Sequence, residues 1–178
     1  MTKEQAFEFL RQHQPMPEDN DLTEKLLTDF REIHHYFVQH PDPECIPLFL
    51  NSFSDSMGFG AFQLCGDIFQ QYDISLVTSH LVDALRSNHK GVRWWAAHWA
   101  MELESEELIE PLAELLASNV DEDAHYFALS TLEFIWRNTG NEKAIAILEQ
   151  RREVETDPER IELIDEALKA RDEELRKN

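Results

Sequence analysis

The sequence predicts an all-α fold in which helical hairpins are stacked on one another. Apolar residues recur at intervals of three and four along most of the 178 residues, and this is the period of an α-helix. Only 5 Gly and 7 Pro are present, which leaves little turn chemistry for an all-β fold with many hairpins. Hydrophobic residues make up 42% of the chain, enough for a core despite a net charge of −20. We therefore expect about nine or ten helices with short connections.

In the first half of the chain, prolines and polar segments separate the predicted helices. Pro15 and Pro41 follow the first two helices, because a residue that precedes proline is disfavoured in the helical conformation. Asp73 closes the fourth. The helices expected here cover residues 6–10, 22–37, 46–53, 59–69 and 76–85.

In the second half, the predicted helices carry recognisable start and stop signals. Ser105 and Asp157 are expected N-caps, and Pro158 occupies the first helical position, which proline prefers. Gly140 is expected to stop the longest of these helices. The helices expected here cover residues 92–103, 105–116, 121–138 and 144–148, with a last one after residue 157.

The pattern of apolar residues repeats with a period of about 31–32 residues. Each unit has a first helix with bulky apolar residues and a second helix with a small residue at its centre. The corresponding sets are Phe49, Phe53 and Cys65; Leu81, Leu85 and Ala97; and Leu112, Leu116 and Ala128. Since one helical hairpin cannot bury its apolar face alone, several such units are expected to stack.

The second helix of the middle unit resembles HEAT-like repeats. Residues 92–101 read VRWWAAHWAM and resemble the family signature V-R-x-x-A-A-x-A-L, and residues 105–116 are similar to the first helix of a following repeat. Pro111, and Pro47 before it, correspond to the mid-helix proline of that family, which would kink the helix. The resemblance implies an α-α superhelix of HEAT-like hairpins in a single domain, 1–178. It comprises N-terminal capping helices over 1–40, repeats over 41–155 and a C-terminal capping helix over 156–178.

The negative charge is concentrated in one part of the chain. A net charge of −20 argues against binding to nucleic acid or to anionic membranes. Residues 101–140 contain ten acids and a single base, Arg137. Helix-dipole stabilisation explains the acids at helix N-termini but not the others, so we expect a basic protein partner. The candidate partner-binding acids are Glu102, Glu104, Glu106, Glu107, Glu110, Asp121, Glu122 and Asp123.

The aromatic side chains between residues 94 and 126 can be placed in two ways. Trp94, Trp95 and Trp99 lie in one helix, and Tyr126 occupies the corresponding place one repeat later. The rings either belong to the core between repeats or, for Trp95 with Tyr126, line a binding surface as anchors.

The sequence contains no recognisable motif for catalysis, metal binding or cofactor binding, so none of these is expected. The 8 His form no H-E-x-x-H motif, and the chain lacks a nucleophile elbow and a phosphate-binding loop. Cys45 and Cys65 lie in apolar surroundings, as expected of buried thiols in a reducing compartment. Without a signal core or an apolar span, we expect a cytoplasmic protein.

These features together predict a non-enzymatic protein-binding module, monomeric or weakly dimeric. Its size, acidity and helical-repeat architecture resemble bacterial immunity proteins, which neutralise basic nuclease toxins by charge-steered binding. One alternative is a HEAT-like enzyme or enzyme accessory, similar to a DNA glycosylase or a lyase. That alternative requires an aromatic-lined concave pocket, for instance with Glu133 or His98 beside Trp95. Another alternative is a generic peptide-binding scaffold.

Overall fold

The computed structural model describes residues 1–101, 103–118 and 121–176. In these residues the chain forms helices and no β-strand, so the predicted all-α fold class is confirmed. The α-helices are α1 (Lys3–Gln12), α2 (Glu24–Gln39), α3 (Cys45–Asn51), α4 (Gly66–Phe69), α5 (Ile74–Leu85), α6 (Lys90–Ala100), α7 (Ile109–Ala117), α8 (Glu122–Thr139), α9 (Glu142–Arg152) and α10 (Pro158–Leu175). Short 3-10 helices cover Gly58–Gly60, Phe62–Cys65 and Glu106–Leu108.

The chain divides into two compact units, 1–96 and 97–178. In the first unit α3 packs against α1 and α5, and α2 packs against α4. Its core is rich in phenylalanine. The ring of Phe30 meets those of Phe49 and Phe62 edge-on, with centroids 5.6 Å apart in both pairs. Such edge-to-face pairs add to the stabilisation that comes from burying the rings.

In the second unit α8 is the central helix. It packs against α7, α9 and α10, and α9 also packs against α10. Leu129 and Leu132 of α8 are fully buried, together with Leu112 of α7, Leu148 of α9 and Ile164 of α10. The apolar residues that predicted these helices therefore form their common core.

The predicted helix boundaries in the second unit hold where a cap specifies them. Gly140 ends α8 in the left-handed conformation, with φ 69°. The Asp157 side chain accepts hydrogen bonds from the backbone N–H groups of Glu159 and Arg160, and Pro158 is the first residue of α10. Ser105 precedes the 3-10 helix as expected, although its side chain makes no capping hydrogen bond.

The continuous helix predicted over residues 59–69 is wrong. Gly58, Phe59 and Gly60 have φ values of 54°, 48° and 81°, all in the left-handed region, which ends any right-handed helix there. The chain instead makes two 3-10 helices, and only the four residues of α4 are α-helical. The apolar spacing of this segment fits a helix, but the glycines on either side of Phe59 allow a turn instead. This turn buries Phe62, Cys65, Ile68 and Phe69 and leaves Phe59 and Leu64 exposed.

The prediction that Pro47 and Pro111 lie in mid-helix and kink their helices is also wrong, because both lie in the first helical turn. Pro47 is the third residue of α3, and Pro111 is the third residue of α7. The first N–H groups of an α-helix have no partner within it, so proline removes no helical hydrogen bond at this position. The matching register of the two prolines is retained, but each marks a helix start.

Candidate protein-interaction surface

Three acidic residues lie just before α7. Glu106 and Glu107 belong to the 3-10 helix that leads into α7, and Glu104 precedes it. Leu108 and Ile109, which follow directly, are 0% and 3% exposed. Because these apolar residues anchor the segment in the core, the carboxylates of Glu104, Glu106 and Glu107 lie on the exposed side of the chain.

These three carboxylates make no ion pair with the residues that the structure describes. Glu110, one turn further along, differs because it pairs with Lys143 at the start of α9. We call Glu104, Glu106, Glu107 and Glu110 the α7 acidic group. Exposed like charges this close together leave a local negative potential that reaches about 10 Å at 0.1 M salt.

A second acidic group lies at the start of α8. Glu122 and Asp123 are exposed in its first turn. Asp121, at the N-cap position, is only 2% exposed, so the prediction that it contributes to a binding surface is wrong. The Arg160 side chain donates a hydrogen bond to the backbone carbonyl of Glu122 at 2.9 Å, which places a cation at this helix start.

The two acidic groups lie at opposite ends of the second unit. Glu110 contacts the N-terminal end of α9 through Lys143, whereas Arg151, at the C-terminal end of α9, donates to the carbonyl of Leu116 at 2.9 Å. Since α9 has 11 residues, its ends are about 16 Å apart. The predicted partner-binding acids therefore form two separate groups and not one cluster. Glu102 lies outside the described residues.

Trp95 is a core residue, which corrects its prediction as a surface anchor. It is 1% exposed, and its indole N–H donates to the carbonyl of Ser56 at 3.3 Å. Its ring centroid lies 5.3 Å from that of Phe53 and 5.8 Å from that of Phe62. Trp95 therefore belongs to the phenylalanine-rich core of the first unit.

The other aromatic residues differ in exposure. Trp99 is 8% exposed, in agreement with the core interpretation, and Trp94 is half-buried with its ring edge-on to that of Trp95. Tyr126 is 46% exposed, so its role as an anchor stays a prediction.

A buried polar network, which was not predicted, joins three segments of the second unit. The Glu155 carboxylate accepts from Arg151 Nε at 2.9 Å and from an Arg160 guanidinium nitrogen at 3.0 Å, and its side chain is 1% exposed. It also accepts from the backbone N–H groups of Thr156 and Asp157. Burial alone would raise the pKa of Glu155, but these hydrogen bonds lower it to about 2.

His125 extends this network into α8. Arg151 lies 3.2 Å from His125 Nδ1, and His125 Nε2 lies 3.0 Å from the carbonyl of Ser118. Because a guanidinium can only donate, Nδ1 accepts and Nε2 carries the proton. Burial lowers the pKa of His125, and the charges of Arg151 and Arg160 act in the same direction. The i, i+4 spacing of Arg151 and Glu155 was the available sequence signal, but it does not reveal the partners on α8 and α10.

The enzyme alternative requires an aromatic-lined concave pocket. The cavity between α3, α5 and the connection to α6 does not have these properties. This cavity of the first unit has a volume of about 340 Å³. Asn51, His80, Asp83 and His89 contribute to its lining, which includes no Trp, Tyr or Phe. Of the acids and histidines named for that alternative, Glu133 pairs with Arg137, and His98 packs its ring against that of Phe127 at 5.1 Å.

Two general features of the described residues bear on function. They include no cluster of three or more His, Cys, Asp or Glu side chains arranged to hold a metal ion. None of the helices in this part of the chain combines the length and the apolar character needed to cross a bilayer.

Paired helices with a proline in matching register and a small residue in the following helix define an α-helical repeat protein. The family model for HEAT repeats matches residues 78–177, which is more than half of the chain. The chain therefore belongs to the HEAT-repeat family. A comparison with curated proteins finds no match.

Proposed function

We propose that this protein is a non-enzymatic binding module for a basic protein, and that the α7 acidic group is the surface that attracts it. Membership of the HEAT-repeat family supports a protein-binding scaffold. The observation that carries the proposal is the exposure of Glu104, Glu106 and Glu107 without an ion pair to any described residue. A cationic partner would neutralise these charges and relieve their mutual repulsion.

The specific partner that we propose is a nuclease-type toxin, which the protein neutralises in the cytoplasm as an immunity protein. A nuclease binds nucleic acid through Lys and Arg side chains. An acidic protein can cover such a surface, and opposite charges accelerate the encounter. The net charge of −20 supports this role because it disfavours binding of the protein itself to nucleic acid.

Charge reversal tests the proposal. The variant Glu104→Lys, Glu106→Lys, Glu107→Lys changes three exposed carboxylates. A matched control, Glu162→Lys, Glu166→Lys, Glu173→Lys, changes the net charge equally on exposed positions of α10. The probes are purified, catalytically inactive nuclease-toxin domains, measured by biolayer interferometry at low and high salt.

We expect at least one domain to associate about 10–100 times more slowly with the α7 variant at low salt, and much less so with the control. The same domain, in its active form, should be inhibited by the wild-type protein. If binding and inhibition are unchanged by the α7 variant, or if no domain binds in a salt-dependent manner, the proposed function is wrong.

A further inference from the structure

The connection between α3 and α4, in the first unit, carries an exposed apolar surface. Met57, Phe59 and Leu64 are 41%, 59% and 42% exposed. Tight backbone turns hold this segment together: Gly60 N–H donates to the Met57 carbonyl at 2.9 Å, and Leu64 N–H donates to the Ala61 carbonyl at 3.2 Å. We call Met57, Phe59 and Leu64 the apolar loop.

Phe59 occupies a backbone conformation that is unfavourable for phenylalanine. Its φ and ψ are 48° and 37°, in the left-handed region, where a side chain crowds the following carbonyl oxygen. Glycine at this position would remove the strain. Because the Phe59 side chain is 59% exposed, its contribution to the core does not explain why a bulky residue stands here. Strain of this kind is characteristic of functional positions.

The backbone next to Phe59 packs closely against the core, which restricts where the Phe59 side chain can project. A Cβ atom on Gly58 would lie 2.9 Å from the ring of Phe62, which is 1% exposed. The Phe62 ring in turn packs against that of Trp95, whose indole N–H donates to the Ser56 carbonyl just before the loop. A loop whose backbone is already packed in this way loses little conformational entropy on binding.

The charge around the apolar loop defines its partner. Along the sequence, seven acids and no Lys or Arg lie between Arg31 and Arg86, and the bases that follow are Lys90 and Arg93 on α6, whose Gly91 packs against the backbone just before the loop. Asp55 and Asp67, on either side of the loop in sequence, are exposed, and their carboxylates form no ion pair with described residues. The Glu18 carboxylate accepts from the backbone N–H of Asp55 at 3.1 Å, which brings a third acid to this place. A second copy of the chain would oppose these charges with its own, so self-association through this surface is disfavoured.

We propose that the apolar loop is a protein-docking surface, in which Phe59 inserts into an apolar pocket bordered by Lys and Arg side chains of another protein. Met57 and Leu64 cover the edge of that pocket, and the surrounding carboxylates pair with its basic border. Phenylalanine is among the residue types that are enriched at the centres of protein interfaces. The inference uses none of the residues of the α7 acidic group and does not depend on the function proposed for them.

A display library of domain-sized fragments from the source organism's own genome supplies the probes. Fragments selected on the full-length protein are expressed as purified domains, and their affinities are measured by fluorescence anisotropy. The test variant is Phe59→Gly, which keeps the backbone conformation accessible. The control is Ile74→Ala, since Ile74 is 57% exposed at the start of α5 in the same unit.

We expect at least one selected domain to bind Phe59→Gly at least ten times more weakly than wild type, and to bind Ile74→Ala within a factor of two. Its affinity should fall with rising salt, and the melting temperature of Phe59→Gly should equal or exceed that of wild type. The proposal is overturned if every selected domain binds Phe59→Gly normally, if no domain is selected, or if the Phe59-dependent binding is insensitive to salt. A lower melting temperature of Phe59→Gly would also overturn it, because Phe59 would then serve the fold. Repeating the measurements with the α7 charge-reversal variant separates this surface from the α7 acidic group.

Discussion

The substitution Glu155→Gln tests whether the buried network holds the second unit together. In the wild-type protein, the Glu155 carboxylate accepts hydrogen bonds from Arg151 at 2.9 Å and from Arg160 at 3.0 Å, and the side chain is 1% exposed. Glutamine has one acceptor oxygen and one donor group, so one of the two guanidinium groups would face a donor instead of an acceptor. Removing one partner from a buried charge cluster costs about 3–5 kcal/mol. Since both arginines keep some contact with water, we expect a loss of about 3 kcal/mol, or about 6–12 °C in melting temperature.

The same residue predicts how stability depends on pH. The pKa of Glu155 falls from its usual value of 4.5 to about 2 in the folded protein. Above pH 4.5 the carboxylate is charged in both the folded and the unfolded chain, and its stabilisation is complete. As the pH falls from 4.5 towards 2, the unfolded chain takes up the proton first and this stabilisation is lost. The difference corresponds to about 3 kcal/mol between the fully charged and the fully protonated carboxyl, of which about 2 kcal/mol should be lost by pH 3.

Urea unfolding followed by circular dichroism, at pH values between 7 and 3, measures both effects. The control is Glu149→Gln, because the Glu149 side chain is 56% exposed where it meets Arg171. We expect this control to change stability by less than about 0.5 kcal/mol. If Glu155→Gln is no more destabilising at pH 7 than Glu149→Gln, or if it leaves the acid dependence unchanged, the network around Glu155 does not stabilise the second unit.

Further predictions concern two glycines and a histidine. Gly91→Ala should cost at least about 3 kcal/mol in urea unfolding, because its Cβ would lie 2.1 Å from the backbone carbon of Ser54. Gly140→Ala should cost only about 1 kcal/mol in the same measurement, since its φ is 69° but no atom lies within 4 Å; an equal cost for both glycines would contradict this distinction. The pKa of His125 is lowered from 6.5, so this residue should stabilise the fold above pH 6.5 and lose that contribution as the pH falls below it. An NMR titration should find a pKa below 6.5 for His125, with the proton of the neutral ring on Nε2; a pKa at or above 6.5, or a proton on Nδ1, would contradict the assignment.

The fold could be predicted where local chemistry alone specifies it. The end of α8 at Gly140 and the start of α10 at Asp157 and Pro158 each depend on a few adjacent residues, and each is where the sequence predicts it. The segment after α3 could not be predicted in this way, because the apolar residues that are buried there, Phe62, Cys65, Ile68 and Phe69, have a spacing that also fits a helix. The choice between helix and turn depends on Gly58, which must lack a Cβ atom to accommodate the ring of Phe62.

The candidate surface was predictable only in part. The concentration of acids in residues 101–140 predicts Glu104, Glu106 and Glu107 as part of this surface, and these residues are exposed. The predicted surface also included Asp121 and Trp95, which are buried. Neither burial follows from residue type or spacing, because each depends on packing against other segments.

The placement of basic residues explains why the acidic group before α7 has few neighbouring cations, whereas the group at the start of α8 lies beside one. The basic side chains of the second unit are largely occupied by acids on α7–α10 and their connections. The pairs are Arg137 with Glu133, Lys143 with Glu110, Arg151 and Arg160 with Glu155, Arg152 with Asp165, and Arg171 with Glu149. At the start of α8, Arg160 also binds the backbone of Glu122, so cationic charge is already present there. Before α7, Lys143 is engaged by Glu110, and Glu104, Glu106 and Glu107 have no such neighbour among the described residues. Among the described acids of residues 101–140, the group before α7 therefore has the fewest neighbouring cations, which is why we expect a basic partner to be attracted there more strongly than to the start of α8.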